Sequence, residues 1–251
     1  MKITFAARSE TGRVRKNNED NLYCNGVIME REDFFLRGIS GTPAVFAICD
    51  GMGGEDCGEV ASRVGVETLA EHADEILRGG YEAVNDYVGD TNEKLRAYMK
   101  AHDVRTGATL ALVVVNEGKF TAYNLGDSRI YTTEGHTLLK VTADHTLAEE
   151  KIMLGELTPA KALHSRYRNI LTRYLGMFDD FNSPPDVYAP KDFGRILLCS
   201  DGLTDMMTHR EISGIMSSYD DVSDVVNALV DGALNNGGID NVTCIVIDGG
   251  Q

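Results

Sequence analysis

The chain has 251 residues, 43% apolar and 25% charged, with 39 acidic side chains against 24 basic ones and a formal net charge of -15. These proportions are those of a globular protein long enough to bury a substantial core. They exclude nucleic acid as the main partner, because no basic patch offsets phosphate repulsion. No run approaches the roughly 20 apolar residues that a membrane span requires, so no membrane association is expected. The five cysteines are scattered without paired spacing. Cys49, Cys199 and Cys244 lie in apolar runs, where a reduced thiol packs as a small hydrophobe. The opening Met1-Lys2-Ile3-Thr4-Phe5 lacks the apolar segment of a signal peptide. A reducing, cytoplasmic setting is the expectation.

In chain order, Asn17-Asn18-Glu19-Asp20-Asn21 is a first acidic node. Ala44-Val45-Phe46-Ala47-Ile48-Cys49 is an apolar run ending in Asp50-Gly51-Met52-Gly53-Gly54. Residues 59–72 carry Val60, Ala61, Val64 and Thr68 at helical spacing. Val84, Tyr87, Val88, Leu95 and Met99 form the apolar stripe of a second helix. The β-rich run 108–115 turns at Asn116-Glu117-Gly118-Lys119 and returns over 120–125. Gly126-Asp127-Ser128-Arg129 breaks it, 130–133 continues, and Glu134-Gly135-His136 turns into 137–141. Four such segments in a row read as an antiparallel meander.

Thr146-Leu147-Ala148-Glu149 has the pattern of a capping box, Gly155 suits a helix end, and Thr158-Pro159 suits a second start. Two short helices are expected there, either a mobile element beside a site or an ordinary surface hairpin. Arg195-Ile196-Leu197-Leu198-Cys199-Ser200 runs into Asp201-Gly202. Thr208-His209-Arg210-Glu211 is a capping box opening a helix over 212–216. Val222, Val225, Val226, Leu229 and Ala233 mark another, stopped by Asn235-Asn236-Gly237-Gly238. Ile239-Asp240-Asn241 precedes the last apolar run, 242–247. Strand signals at both ends, with no linker and no internal repeat, predict a single domain over 1–251. Its class is α+β, with antiparallel sheets covered by helices.

One chemical pattern recurs: an apolar run ends, an aspartate follows, and a residue of little bulk stands beside it. Asp-Gly alone is common turn chemistry. Repeated against several buried-looking runs, it reads as a set of carboxylates at strand ends, held by rigid backbone. Hard cations such as magnesium and manganese take oxygen ligands gathered in this way. A rival signal is Cys57-Gly58-Glu59-Val60-Ala61-Ser62-Arg63, the Cys-x5-Arg spacing of cysteine-based phosphatases. Such a cysteine must be a thiolate in positive surroundings, whereas Glu55, Asp56 and Glu59 crowd this one. The match reads as chance. A dinucleotide-binding reading of Gly51-Met52-Gly53-Gly54-Glu55-Asp56 fails because Asp56 stands at the third glycine position.

Taken in order, the motifs resemble those of the metal-dependent PPM, or type 2C-like, protein serine/threonine phosphatases in their bacterial form. They are 12–21, Asp50-Gly51-Met52-Gly53-Gly54 with Gly58-Glu59-Val60-Ala61-Ser62, Thr106-Gly107-Ala108-Thr109, Gly126-Asp127-Ser128-Arg129-Ile130-Tyr131 and Asp144-His145-Thr146. Arg168-Asn169-Ile170-Leu171-Thr172-Arg173, Ser200-Asp201-Gly202-Leu203-Thr204-Asp205 and Asp240-Asn241-Val242-Thr243 complete the series. The resemblance implies a four-layer α-β-β-α sandwich, two antiparallel sheets flanked by helices, with a binuclear metal site at one end.

It further implies that Asp50 bridges two Mn2+ or Mg2+ ions, that Gly51 offers its carbonyl, and that Asp201 and Asp240 complete the ligands. Glu19 and Asp20 would hold waters of the metal site, Arg15 would bind phosphate, and Asp127 with Asp201 would hold a third, weaker ion. Asp205 would support these ligands, and 146–165 would be the family's variable flap. The implied reaction is hydrolysis of phosphoserine and phosphothreonine monoesters by metal-activated water, with no covalent intermediate. A catalytically weak scaffold of the same fold is the alternative. Implied partners are phosphoproteins that are targets of a bacterial serine/threonine kinase, and the protein is expected to be a monomer. Some eukaryotic relatives carry a histidine where this chain has Met52, and a thioether cannot donate a proton. His145 is a candidate acid or a structural residue.

Overall fold

A computed structural model describes residues 1–53, 57–177, 184–190 and 194–249. In chain order, β1 (Lys2–Glu10), β2 (Asp20–Cys24), β3 (Val27–Ile28), β4 (Phe34–Gly41) and β5 (Ala44–Gly53) lead to helices α1 (Gly58–Gly79) and α2 (Tyr81–His102). β6 (Thr106–Ala108), β7 (Leu110–Asn116), β8 (Lys119–Leu125), β9 (Arg129–Glu134) and β10 (Thr137–Lys140) follow, then α3 (Leu147–Met153) and α4 (Pro159–Ala162). β11 (Asp186–Tyr188), β12 (Arg195–Cys199), α5 (Asp201–Met206), α6 (His209–Ser218), α7 (Val222–Asn235) and β13 (Val242–Asp248) complete the described elements.

The strands form two sheets, and the paired strands run antiparallel. One is ordered β10-β9-β12-β13-β1-β4 and the other β11-β8-β7-β5-β2-β3, with β6 added on β5. The alternation of side chains along each strand explains the layering. Val45, Ala47 and Cys49 of β5 pack with α1 and α2, while Ala44, Phe46 and Ile48 enter the seam between the sheets. In the other sheet, Leu197, Cys199, Val242, Cys244 and Val246 face α5, α6 and α7, while Ile196, Leu198, Ile245 and Ile247 face the seam. Strands apolar on both faces must be covered on both faces, so three apolar cores separate four layers, α-β-β-α. Phe46 is fully buried in the middle core, edge-on to Phe5 at 5.0 Å. Truncating it to alanine would cost about 3–5 kcal/mol.

Two sequence expectations need correction. The four segments from 108 to 141 do not form one meander. β7 and β8 pair in one sheet, and β9 and β10 pair in the other. The break at Gly126 is a crossing between sheets. Gly126 has φ +98°, and a Cβ there would stand 2.7 Å from Thr109 Cγ2, so only glycine takes this path. Asp50 does not end its strand either. β5 runs on to Gly53, exchanging its neighbour β7 for β6 at this point.

The capping box at Thr208 is fully formed, each partner bonding the other's amide. At Thr146 the hydroxyl caps the Glu149 amide at 3.2 Å and α3 starts there. Pro159 opens α4 as expected. Among the described residues no helix is long and apolar enough to cross a membrane.

Candidate active site

The acidic segments converge at one end of the sandwich because the strands carrying them are neighbours. β2 pairs with β5 so that Asp20 stands opposite Asp50. Asp201 opens α5 directly after β12, and Asp240 lies in the turn before β13, which pairs with β12. Asp127 sits at the crossing between the sheets. A cavity of about 230 Å3 is lined by Arg15, Glu19, Asp50, Gly51, Asp127, Asp201 and Asp240, together with Thr109, Asn169 and Asn241. Of the predicted residues, Asp20 lies behind this wall. It is 2% exposed, with Ser200 Oγ (2.8 Å) and Thr243 Oγ1 (2.6 Å) donating to its Oδ2.

Electrostatics mark this cluster as unbalanced. Burial first, then Asp20, Asp201, Asp127 and Asp240, hold the Asp50 carboxyl well above the usual carboxylate range. Burial first, then Asp127 and Asp205, do the same to Asp201. Burial pushes Asp20 and Asp127 up to about 6 each. Burial also raises Glu19, although Arg15 and the Gly58 amide oppose it. Carboxylates this close, out of water, call for protons or for cations.

The donors fit hard divalent cations. They are all oxygen, and Asp20 Oδ1 is buried with no hydrogen-bond partner. Gly51 is hemmed in by backbone: a Cβ there would lie 2.0 Å from the Gly58 carbonyl oxygen and 2.6 Å from that of Glu19. Gly51 lines the cavity, and only a residue without a side chain fits between these backbones. Among the described residues, no three His, Cys, Asp or Glu side chains close into a finished metal cage. The donors line an open cavity instead.

Arg15 sits at the mouth, 47% exposed, its Nη2 donating to Asp240 Oδ2 at 2.7 Å and its Nη1 3.7 Å from Glu19 Oε2. Asp205 stands one helical turn from Asp201 and is paired with Arg168. Met52 lines the cavity and offers no proton donor.

His145 proves structural. It is 7% exposed and absent from the cavity wall. Its Nδ1 accepts from the Gly126 amide at 3.0 Å, and its own amide donates to the Gly126 carbonyl at 2.9 Å. Its Nε2 stands 3.1 Å from Asp186, which Arg173 clamps at 2.7 Å. Burial keeps the ring below its ordinary value, hence neutral. The ring therefore fixes the loop that carries Asp127.

Sequence reasoning assigned no role to several residues that build the site. The Asp50 amide donates to Thr109 Oγ1 (3.0 Å), which is bonded to Ser128 Oγ (2.7 Å). Asn241 accepts from the Glu19 amide at 2.9 Å and donates to the carbonyls of Thr11 and Asn17. Their signal was their position beside the acidic motifs. Cys57 is buried at the start of α1, whereas Arg63 is exposed, so the two do not form one anion-binding loop. Glu55 and Asp56, expected to crowd Cys57, lie outside the described residues, as does Gly54.

Comparison with known proteins finds relatives over nearly the whole chain. The chain is 29% identical over 248 residues to the serine/threonine phosphatase stp of Listeria monocytogenes, covering 96% of this chain and 94% of that one. The crystal structure of the Mycobacterium tuberculosis serine/threonine phosphatase PstP/Ppp superposes with a TM-score of 0.83 at 30% identity, covering 99% of both chains. The catalytic domain of PstP in complex with two manganese ions superposes with a TM-score of 0.81 at 29% identity, also over 99% of both. The family model described as Protein phosphatase 2C matches residues 29–233. With most of its length matched by that model and its fold shared with these phosphatases, the chain belongs to the protein phosphatase 2C family.

Proposed function

We propose that the chain, acting as one phosphatase domain, hydrolyses phosphoserine and phosphothreonine monoesters of proteins with the help of two divalent cations, Mn2+ or Mg2+. The observation that carries this reading is the convergence of Asp50, Asp127, Asp201 and Asp240, from four distant segments, on one cavity with Arg15 at its mouth. In this reading Asp50, the Gly51 carbonyl, Asp201 and Asp240 hold the ions. Glu19 and Asp20 support them, and Asp127 with Asp201 takes a third, weaker one. Bound there, the cations supply charge neutralisation of the phosphate and acidify the attacking water.

The chain's own residues supply the rest. Ser200 and Thr243 fix Asp20 Oδ2, which leaves Oδ1 as its accepting atom. Asn241 ties the segment bearing Glu19 to the segment bearing Asp240, so both acids hold one geometry. Arg15 offers a planar guanidinium fork to two phosphate oxygens, a shape that a lysine ammonium does not reproduce. Its Asp240 partner holds it beside the cavity until phosphate arrives. The intact carboxylate set supports an enzyme over the scaffold alternative. The targets of a serine/threonine kinase are the substrates that fit, and a reducing, cytoplasmic setting is consistent with five buried cysteines of which none forms a disulfide.

The test is p-nitrophenyl phosphate hydrolysis with manganese, with magnesium and after EDTA dialysis, followed by phosphoserine, phosphothreonine and phosphotyrosine peptides. Full activity in metal-free buffer, or a preference for phosphotyrosine, would refute the reading.

A further inference from the structure

A second, larger cavity of about 550 Å3 opens from the first, and the two share Asp127, Asn169 and Asp201 in their walls. Its volume is that of a site for a substantial ligand, which runs to about 300–1,000 Å3. One wall is built by α3 and α4 and carries the apolar side chains Ala148, Ile152, Pro159, Ala162 and Leu163, with Glu149 and His164 beside them. Leu163 is 66% exposed, and beyond it on the same hairpin Met153 and Leu154 are 80% and 73% exposed. Large apolar side chains left in water beside a polar cavity mark a contact surface.

The opposite wall is charged, and its cations are already paired. Arg129 forks onto Asp144 at 2.7–3.1 Å, Lys140 reaches the same carboxylate at 2.7 Å, and Arg168 is paired with Asp205. Groups paired in this way offer little to a charged ligand. The cations of the groove are thus already committed, and the apolar side chains of the α3–α4 wall are the contacts left for an uncharged side chain.

We propose that this groove is a specificity subsite that takes a large aliphatic side chain of the phosphoprotein substrate, a few residues from the phosphorylated one. The proposal rests on the phosphatase reading given above. Continuity argues for this occupant: a phosphoresidue seated against Asp50 and Asp201 has its chain leaving past Asp127 and Asn169. An extended peptide advances about 3.3 Å per residue, so its near neighbours enter the groove. Leucine, isoleucine or methionine would bury against Ile152 and Leu163, displacing water from both. A serine or aspartate at that position would gain nothing from the wall.

The experiment uses an alanine-rich phosphothreonine peptide in which a single leucine is walked from five residues before the phosphothreonine to five after. kcat/KM is measured for each peptide with manganese present. The expected result is one or two adjacent positions at which leucine raises kcat/KM about tenfold over alanine, the worth of burying much of one leucine side chain. Ile152→Ser and Leu163→Ser should each cut that ratio severalfold, read as leucine over alanine within the same variant. A flat leucine walk in an enzyme that hydrolyses p-nitrophenyl phosphate would overturn the subsite and leave the phosphatase reading standing. A leucine preference unchanged in both variants would place the contact elsewhere and overturn it too. No p-nitrophenyl phosphate hydrolysis with manganese would overturn the phosphatase reading itself, and the subsite with it.

Discussion

Replacing Asp127 with asparagine should make the metal-free protein more stable at pH 8. Burial, followed by the neighbouring Asp144, pushes this carboxyl from 3.8 to about 6. A rise of that size is worth about 3 kcal/mol at a pH where the group is ionised. The asparagine amide must still be kept from water, which takes back part of the gain. About 1–2 kcal/mol of net stabilisation is expected.

The pH dependence gives the sign. The folded protein holds the Asp127 proton more tightly than the unfolded chain does. The stability this contributes is complete below pH ~4 and is lost as the pH rises through about 6. The variant lacks the titration, so it escapes the loss. The assay is urea unfolding of both proteins in EDTA across pH 4 to 8. The two should differ least at pH 4, diverge between pH 4 and about 6, and keep a steady gap above that, with the variant's midpoint the higher. Adding manganese should then stabilise the wild type more than the variant, because a ligand that binds only the folded state adds stability according to its affinity. A variant less stable than wild type by the same amount at every pH would refute the reasoning. It would leave Asp127 as a turn residue bonded to nearby backbone amides.

Other substitutions test other parts of the site. Gly51→Ala drives a Cβ to within 2.0 Å of the Gly58 carbonyl. Backbone cannot yield as a side chain does, so a loss of about 3 kcal/mol or more is expected, read from the urea midpoint. Arg15→Ala removes a charged hydrogen-bond donor from the phosphate and should raise KM on a phosphopeptide about tenfold or more. An unchanged KM would rule out phosphate binding by Arg15. His145→Leu leaves the Gly126 amide without its acceptor, and a destabilisation of about 1–3 kcal/mol is expected by thermal unfolding. If His145 were the acid instead, its variant would lose the alkaline limb of the pH–rate profile, where deprotonation of the acid slows the wild type. Cys57→Ser should turn over substrate much as wild type does. A folded, inactive Cys57→Ser protein would revive the cysteine mechanism.

The helices, the capping boxes and most strand segments were legible in the sequence because their causes are local. The stripe from Val84 to Met99 and the Thr208–Glu211 pair depend on residues three and four apart, and both formed where expected. The acidic motifs were legible for a related reason: an aspartate beside an apolar run must stand near the edge of a buried layer. Partnership between strands was not legible. Period-two alternation says that a segment is a strand, but not which sheet it joins, so β8 and β9 read as neighbours although the turn at Gly126 sends them into different sheets.

Tertiary structure also decided which polar residues serve the acids. Ser200 and Thr243 converge on Asp20 from 180 and 223 residues away, and Asn241 reaches back 222 residues to the Glu19 amide. It turned His145 from a candidate acid into the clamp of the Asp127 loop. It likewise set the apolar wall of α3 and α4 against a floor of paired charges. Side-chain chemistry is written residue by residue, whereas pairing across two hundred residues is settled only when the sheets close over their shared core.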